Sequence, residues 1–160
     1  MPNDALILRI ARAADAQLLS AMTREYIEPG LQPRYSPQRI ARLIADRETI
    51  ALVADDGALV QGFAVMSFGD ERAHLLLLAV RPRLRRAGIG RRLVEWLLES
   101  ALVAGIASVH LELRADNEAA RHFYRRLGFG ETLTVPGYYE GRIDALRMMR
   151  VLRNPRTQKL

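Results

Sequence analysis

The residues of this chain most suited to chemistry lie between Val80 and Arg92. The segment LLLLAVRPRLRRAGIG, from Leu75 to Gly90, passes from an apolar strand into a basic loop, and a helix follows at once. A helix start leaves backbone N–H groups without intrahelical partners and carries partial positive charge, so it attracts phosphate. Arg85, Arg86 and Arg91 add full charges. Gly88 and Gly90 allow positive φ and let the main chain approach a ligand closely. The chemistry implied is a pyrophosphate cradle at the carboxyl end of a strand.

Other phosphate signatures do not fit. No Gly-Lys-Ser/Thr follows the loop and no G-x-G-x-x-G occurs, which argues against a phosphate-loop NTPase and a dinucleotide fold. There is no cysteine, so disulfides, thiolate metal sites and a cysteine nucleophile are all excluded. His74, His110 and His122 show no metal-ligand spacing, so no metal is expected. The net charge is +6, and Lys159 is the only lysine. Such a balance is compatible with nucleic acid, an acidic membrane surface or an anionic cofactor. The concentration of Arg81, Arg83, Arg85, Arg86, Arg91 and Arg92 in one stretch favours a local anion, and nucleic acid is the disfavoured partner. The start MPNDALILRI lacks the basic and apolar regions of a signal peptide. The longest plain apolar run, Leu75 to Val80, is too short to span a bilayer, so a cytoplasmic protein without a membrane partner is expected.

These residues need elements to position them. Leu6–Ile10 reads as a strand and Ala14–Ile27 as a helix with Leu18, Leu19, Met22 and Ile27 on its apolar side. Ser36-Pro37 reads as an N-cap and first helical residue of a second helix carrying Ile40, Leu43 and Ile44. Ile50–Ala54 and Leu59–Phe68 form a hairpin around Asp55-Asp56-Gly57, and Gly62 marks a bulge or a tight approach. His74–Val80 is apolar without alternation, as in a central strand covered on both faces. Ile89–Ala104 is a helix built on Leu93, Val94, Trp96 and Leu97, stopped by Gly105. Ala107–Arg114 alternates, with Val109, Leu111 and Leu113 inward. Asp116 or Asn117 caps a helix that ends at Leu127-Gly128. Phe129–Val135 and Ala145–Leu152 are strands around Pro136-Gly137-Tyr138-Tyr139. The order is β-α-α-β-β-β-α-β-α-β-β, and the strand–helix–strand crossover favours a parallel pair. One domain over residues 1–152, with a polar tail at 153–160, is expected. Asn117, Ala120 and Tyr124 lie three and seven residues apart, so they share a helix face.

With these segments in place, the chain resembles the GNAT superfamily of acyl-CoA-dependent N-acetyltransferases. Arg85-Arg86-Ala87-Gly88-Ile89-Gly90 resembles the family's Arg/Gln-x-x-Gly-x-Gly/Ala loop, and Leu78-Ala79-Val80 resembles the strand end that runs along the pantetheine arm. LELRADNEAARHFYRRLGF, from Leu111 to Phe129, resembles the second cofactor motif, and GYYEGRIDALRM, from Gly137 to Met148, the closing strands. Within the superfamily the pattern is most similar to the ribosomal-protein-alanine and related N-terminal acetyltransferases. In Gly141-Arg142-Ile143-Asp144-Ala145, Ile143 stands where that pattern often has an acid.

The resemblance implies an α+β fold: a mixed, mostly antiparallel central sheet with a parallel strand pair splayed at the cofactor site, flanked by about four helices. It implies acetyl-CoA as cofactor, held by Leu78, Ala79, Val80, Arg85, Arg86, Ala87, Gly88, Ile89, Gly90 and Arg91, with Asn117, Ala120 and Tyr124 on its arm. Glu112 would be the proton acceptor and Tyr124 the proton donor. Burial beside Leu111 and Leu113 would raise the Glu112 pKa toward that of a useful base. His74, Tyr138 and Tyr139 are candidates for the acceptor side. Without cysteine, direct attack in a ternary complex is favoured. Neutralising a lysine at pH 7 costs roughly 3–4 kcal/mol more than neutralising an α-amine, so a modest base suits an N-terminal amine. The favoured acceptor is therefore a protein or peptide N-terminus. A polyamine, amino acid or aminoglycoside is the alternative substrate, and a non-catalytic acyl-CoA sensor or an arginine-based nucleic-acid module are alternatives of another class. Monomer and homodimer both remain open.

Overall fold

A computed structural model describes residues 5–85 and 87–152. Seven strands and four helices follow the expected order: β1 (Ile7–Ile10), α1 (Ala16–Tyr26), α2 (Pro37–Ala45), β2 (Thr49–Asp55), β3 (Val60–Phe68), β4 (Arg72–Val80), α3 (Ile89–Val103), β5 (Ser108–Arg114), α4 (Glu118–Arg126), β6 (Gly130–Tyr139) and β7 (Ile143–Val151). The strands form one mixed sheet in the order β1-β2-β3-β4-β5-β7-β6. The β1/β2, β2/β3, β5/β7 and β6/β7 pairs are antiparallel and the β4/β5 pair is parallel. That parallel pairing aligns Arg72–His74 with Ser108–His110. Both strands then continue, β4 to Val80 and β5 to Arg114.

The chain divides into two compact units. Among the described residues, the first takes 5–67 together with those of 76–97. Its core joins Leu19 of α1, Ile40 of α2, Val53 of β2, Phe63 and Val65 of β3 and Leu77 and Ala79 of β4. Ser36 caps α2 as its sequence implies, its side chain accepting from the Arg39 amide at 3.1 Å. Leu18 is one difference: it lies off the buried stripe of α1, where Ala16, Leu19 and Met22 face inward and Leu18 is exposed. Glu28, just past α1, is buried; its Oε2 accepts from the Arg34 amide at 2.7 Å and pins the loop that leads to α2.

The second unit takes residues 68–75 and 98–152. Val109, Leu111 and Leu113 of β5, Tyr124 of α4, Phe129, and Leu146 and Met148 of β7 are among its buried side chains. Gly105 and Gly128 stop α3 and α4: they take positive φ, +87° and +88°, one residue beyond Ala104 and Leu127, the residues that follow each helix. Two expectations need correcting. Trp96 is one of the exposed large side chains of α3, so Leu93, Val94, Leu97 and Leu98 carry its packing. Pro136-Gly137-Tyr138-Tyr139 is not the connection between the last two strands. β6 runs through it with an irregular register between Val135 and Tyr139, and the turn falls at Glu140–Arg142. Proline is tolerated there because β6 is an edge strand and Pro136 has no ladder N–H to contribute. Among the described residues no helix is long and apolar enough to cross a membrane.

Candidate active site

The end of β4 is set by what β3 lacks. A Cβ on Gly62 would sit 2.9 Å from the Ala79 carbonyl oxygen and 3.1 Å from Val80 Cγ2. Only a glycine allows this approach, and the β2/β3 register also slips beside it, between Ala54 and Asp55. Bulge and tight approach thus coincide. Beyond Val80 the chain is tied back to β3 twice: the Arg81 amide donates to the Gln61 carbonyl at 2.9 Å, and Arg81 Nε donates to the Val60 carbonyl at 2.8 Å. A 3-10 turn, Pro82–Leu84, follows.

The loop then closes on α3. The Ala87 amide donates to Leu84 O at 3.1 Å, and Gly88 adopts φ +82°. Among the described residues nothing lies within 4 Å of the place its Cβ would take, so what glycine supplies here is its conformation. The Arg92 amide donates to Gly88 O at 3.0 Å, the first bond of α3. The amides of Ile89, Gly90 and Arg91 therefore fall in the turn that has no intrahelical acceptor. Arg85 Nε reaches back to Val80 O at 3.3 Å, and its guanidinium stands 5.9 Å from the Tyr26 ring centroid. Arg91 pairs with Glu95 one turn along at 2.7 Å. Helix-start amides, a positive-φ glycine and flanking guanidinium groups are a donor set suited to a diphosphate. The residues present therefore fit the phosphates of an acyl-CoA. Arg86 lies outside the described residues. Leu78 is partly exposed, while Ala79 and Val80 are buried. Along β4 Ala73, Leu75, Leu77 and Ala79 are buried, whereas His74, Leu76 and Leu78 are only partly so. The expected equal cover on both faces is corrected accordingly.

A different kind of site lies in the second unit. His74 Nε2 and Glu112 Oε2 are 2.5 Å apart, across the parallel β4/β5 pair. Arg147, directly opposite Glu112 in the β5/β7 register, brings its Nε to Oε1 at 3.3 Å. Burial pushes the Glu112 carboxyl up, but the hydrogen bond and charge of His74 and the charge of Arg147 outweigh it, and the net direction is down. The expected rise is overturned: Leu111 and Leu113 do bury the strand, yet both carboxylate oxygens face donors. His110 accepts or donates at 2.8 Å to Ser108 Oγ. Burial lowers its pKa, helped by Arg72 and His74.

On α4, Asn117 is the N-cap: its Oδ1 accepts from the Ala120 amide at 3.1 Å. Asp116, the other candidate cap, is not the capping residue. Tyr124 is buried, with the rings of Phe123 and Phe129 edge-on at 5.0 and 5.6 Å. Burial, with Tyr139 adding to it, pushes its phenol well above the usual tyrosine range. Its Oη therefore keeps its proton throughout the physiological range. Tyr138 and Tyr139 meet edge-on at 4.9 Å near the β6/β7 turn. Arg121 and Arg125 both pair with Glu131. His122 is exposed beside Glu118. Sequence reading missed Arg147, whose role depends on strand register; a polar side chain between Leu146 and Met148 was the available signal.

Comparison with known proteins gives the context of these parts. A model of the acetyltransferase (GNAT) family matches residues 16–129. Ribosomal protein bS18-alanine N-acetyltransferase of Escherichia coli K12 is 39% identical over 89 residues, which cover 54% of this chain and 60% of that relative. The matched stretch thus spans about three fifths of the curated relative's length. The solved structure of the Escherichia coli ribosomal-protein-S18-alanine N-acetyltransferase covers 93% of this chain and 95% of its own, with TM-score 0.81 and 26% identity. The fold is also that of yncA from Salmonella typhimurium, solved with its cofactor acetyl-CoA, at TM-score 0.78 and 20% identity over 93% of this chain and 95% of that one.

Proposed function

Because this chain belongs to the GNAT acetyltransferase family, we propose that it transfers acetyl from acetyl-CoA directly to a primary amine, and that the amine is a protein or peptide N-terminus. The observation that carries the reading is the loop from Val80 to Gly90, where a positive-φ glycine delivers the chain into the first-turn amides of α3. Acetyl-CoA supplies a thioester-activated acetyl group and a thiol that leaves.

The chain's own residues divide the work. Arg85, Ala87, Gly88, Ile89, Gly90 and Arg91 hold the diphosphate, with Arg86 assigned to the same task. Leu78, Ala79 and Val80 offer main-chain groups to the arm, and the Ala79 and Val80 amides are the donors for the oxygen that gains charge. Asn117 and Ala120 line the arm from α4. Glu112 and His74, bonded to each other, form the pair that takes the proton of the amine. Tyr124 Oη donates a hydrogen bond to the departing sulfur. A phenol pushed above its usual range is a weak acid against a thiol of pKa about 8.5, so Tyr124 stabilises the thiolate more than it titrates it. Tyr138 and Tyr139 line the acceptor side. A cytoplasmic setting is part of the reading.

An N-terminal amine is favoured because it needs only a modest base, and a depressed carboxylate is a modest base. The nucleic-acid alternative loses ground because Arg91, Arg121 and Arg125 are each paired with glutamate. The test is incubation with acetyl-CoA and a panel of peptides and small amines, reading free thiol and product mass. Acetylation of peptide N-termini is expected. Product on polyamines or aminoglycosides alone would move the acceptor to small molecules. Coenzyme A binding without thiol release for any amine would make the chain an acyl-CoA sensor.

A further inference from the structure

The proton-handling cluster contains a residue that the proposed reaction does not require. Arg147 stands directly across from Glu112 in the antiparallel β5/β7 pair. Residues so placed have their Cβ atoms about 4.5–5.5 Å apart and interact as a pair. The two carboxylate oxygens are divided between neighbours: Oε1 faces Arg147 Nε at 3.3 Å and Oε2 meets His74 Nε2 at 2.5 Å. Glu112 is the well-covered member, with side-chain exposure of 13% against 38% for His74 and 45% for Arg147. The carboxylate is thus enclosed and the imidazole is reachable.

We propose that Arg147 is a positioning residue: by holding Oε1 of Glu112 from β7, it commits Oε2 to His74 and leaves the imidazole, not the carboxylate, to take the proton of the acceptor amine. This rests on the acetyl-transfer reading above. With Glu112 ionised, His74 Nε2 carries the hydrogen that lies between them, as assigned from the hydrogen bond, and Nδ1 presents its lone pair. The amine's nitrogen forms the bond to the acetyl carbon, the carbon–sulfur bond breaks, and the proton lost by nitrogen goes to Nδ1. The resulting imidazolium is held by the Glu112 charge, and the proton is later released to water.

The charged and titratable groups near Glu112 come from three strands: Arg72 and His74 on β4, His110 and Arg114 on β5, and Arg147 on β7. His110 is held below its usual range chiefly by burial and is engaged by Ser108. Arg72 is exposed and aligned with Ser108, four residues before Glu112. Arg147 is therefore the cation directly opposite the carboxylate, and its removal acts on the pair as a whole.

The experiment is a titration of the Glu112 carboxyl and the His74 imidazole by NMR in the full chain, comparing wild type, R147M and R147K, alongside the pH dependence of kcat/KM. Losing one partly exposed cation at this distance should move the Glu112 midpoint up by about half a pH unit in R147M, and the acid limb of kcat/KM in the same direction. R147K should hold the limb near its wild-type position. An unmoved Glu112 midpoint in R147M overturns the proposal. So does a drop in kcat/KM that is equal at every pH, which is the mark of a merely structural residue. No thiol release from wild type with any amine removes the parent reading instead. The carboxyl titration needs no turnover, so the two failures are distinguishable.

Discussion

The loop from Val80 to Gly90 and the cluster around Glu112 are assembled from opposite materials. The loop works through main chain: a 3-10 turn, a glycine at φ +82° and the first amides of α3. The cluster works through side chains drawn from three strands that are distant in sequence, His74, Glu112 and Arg147. A main-chain site is robust to side-chain exchange but brittle at the glycines that shape it. A side-chain site tolerates backbone neighbours but fails when the member that handles the proton is lost. The largest expected effect therefore falls on the cluster. Glu112→Gln should lower kcat/KM by about 100-fold or more and alter its pH dependence. A loss under tenfold in steady-state kinetics would place the proton chemistry elsewhere.

The same substitution has a stability consequence with a definite sign. The Glu112 carboxyl lies below its ordinary value in the folded chain, so the unfolded state binds more protons as pH falls. Its stabilisation is full above the ordinary glutamate range and fades as pH drops through the folded value. Melting curves of wild type and E112Q should differ at pH 7 and converge in strong acid. A gap that stays constant with pH would mean that the ion pairs contribute nothing.

On the loop side, Gly88→Ala meets no steric neighbour among the described residues, yet it forces a side chain into the left-handed region at a cost of about 1–2 kcal/mol. Coenzyme A affinity, measured by calorimetry, should fall about tenfold if the loop reshapes to relieve that strain. Full affinity would show that the loop's conformation is not what binds. Tyr124→Phe removes one donor and should cost turnover about five- to tenfold while cofactor affinity holds. Smallest is Asn117→Ala, which removes the cap of α4 and should lower unfolding free energy by about 1 kcal/mol, read from chemical denaturation.

The contrast also explains what the sequence made legible. Local features were readable because their physics is local: the Ser36-Pro37 helix start, the stops at Gly105 and Gly128, and the glycine-arginine turn itself. Trp96 was misplaced because periodicity marks a stripe of α3 without saying how wide its cover is. Pro136-Gly137 read as a turn because those residues punctuate chains in general, yet on an edge strand nothing forbids them. The direction of the Glu112 shift was read from its sequence neighbours Leu111 and Leu113, whereas His74 and Arg147 decide it across the sheet. Register is a nonlocal quantity, and no spacing within β5 encodes which residue of β7 lies opposite.

Position 62 sets the limit of what this scaffold can absorb. With a carbonyl oxygen 2.9 Å from where any methyl would stand, the obstacle is main chain and cannot swing aside. Saturation mutagenesis should leave a blank column there beside a permissive one at half-exposed Gln61. Laboratory evolution toward new acceptors would then have to proceed with that one site frozen, however freely the surrounding surface drifts.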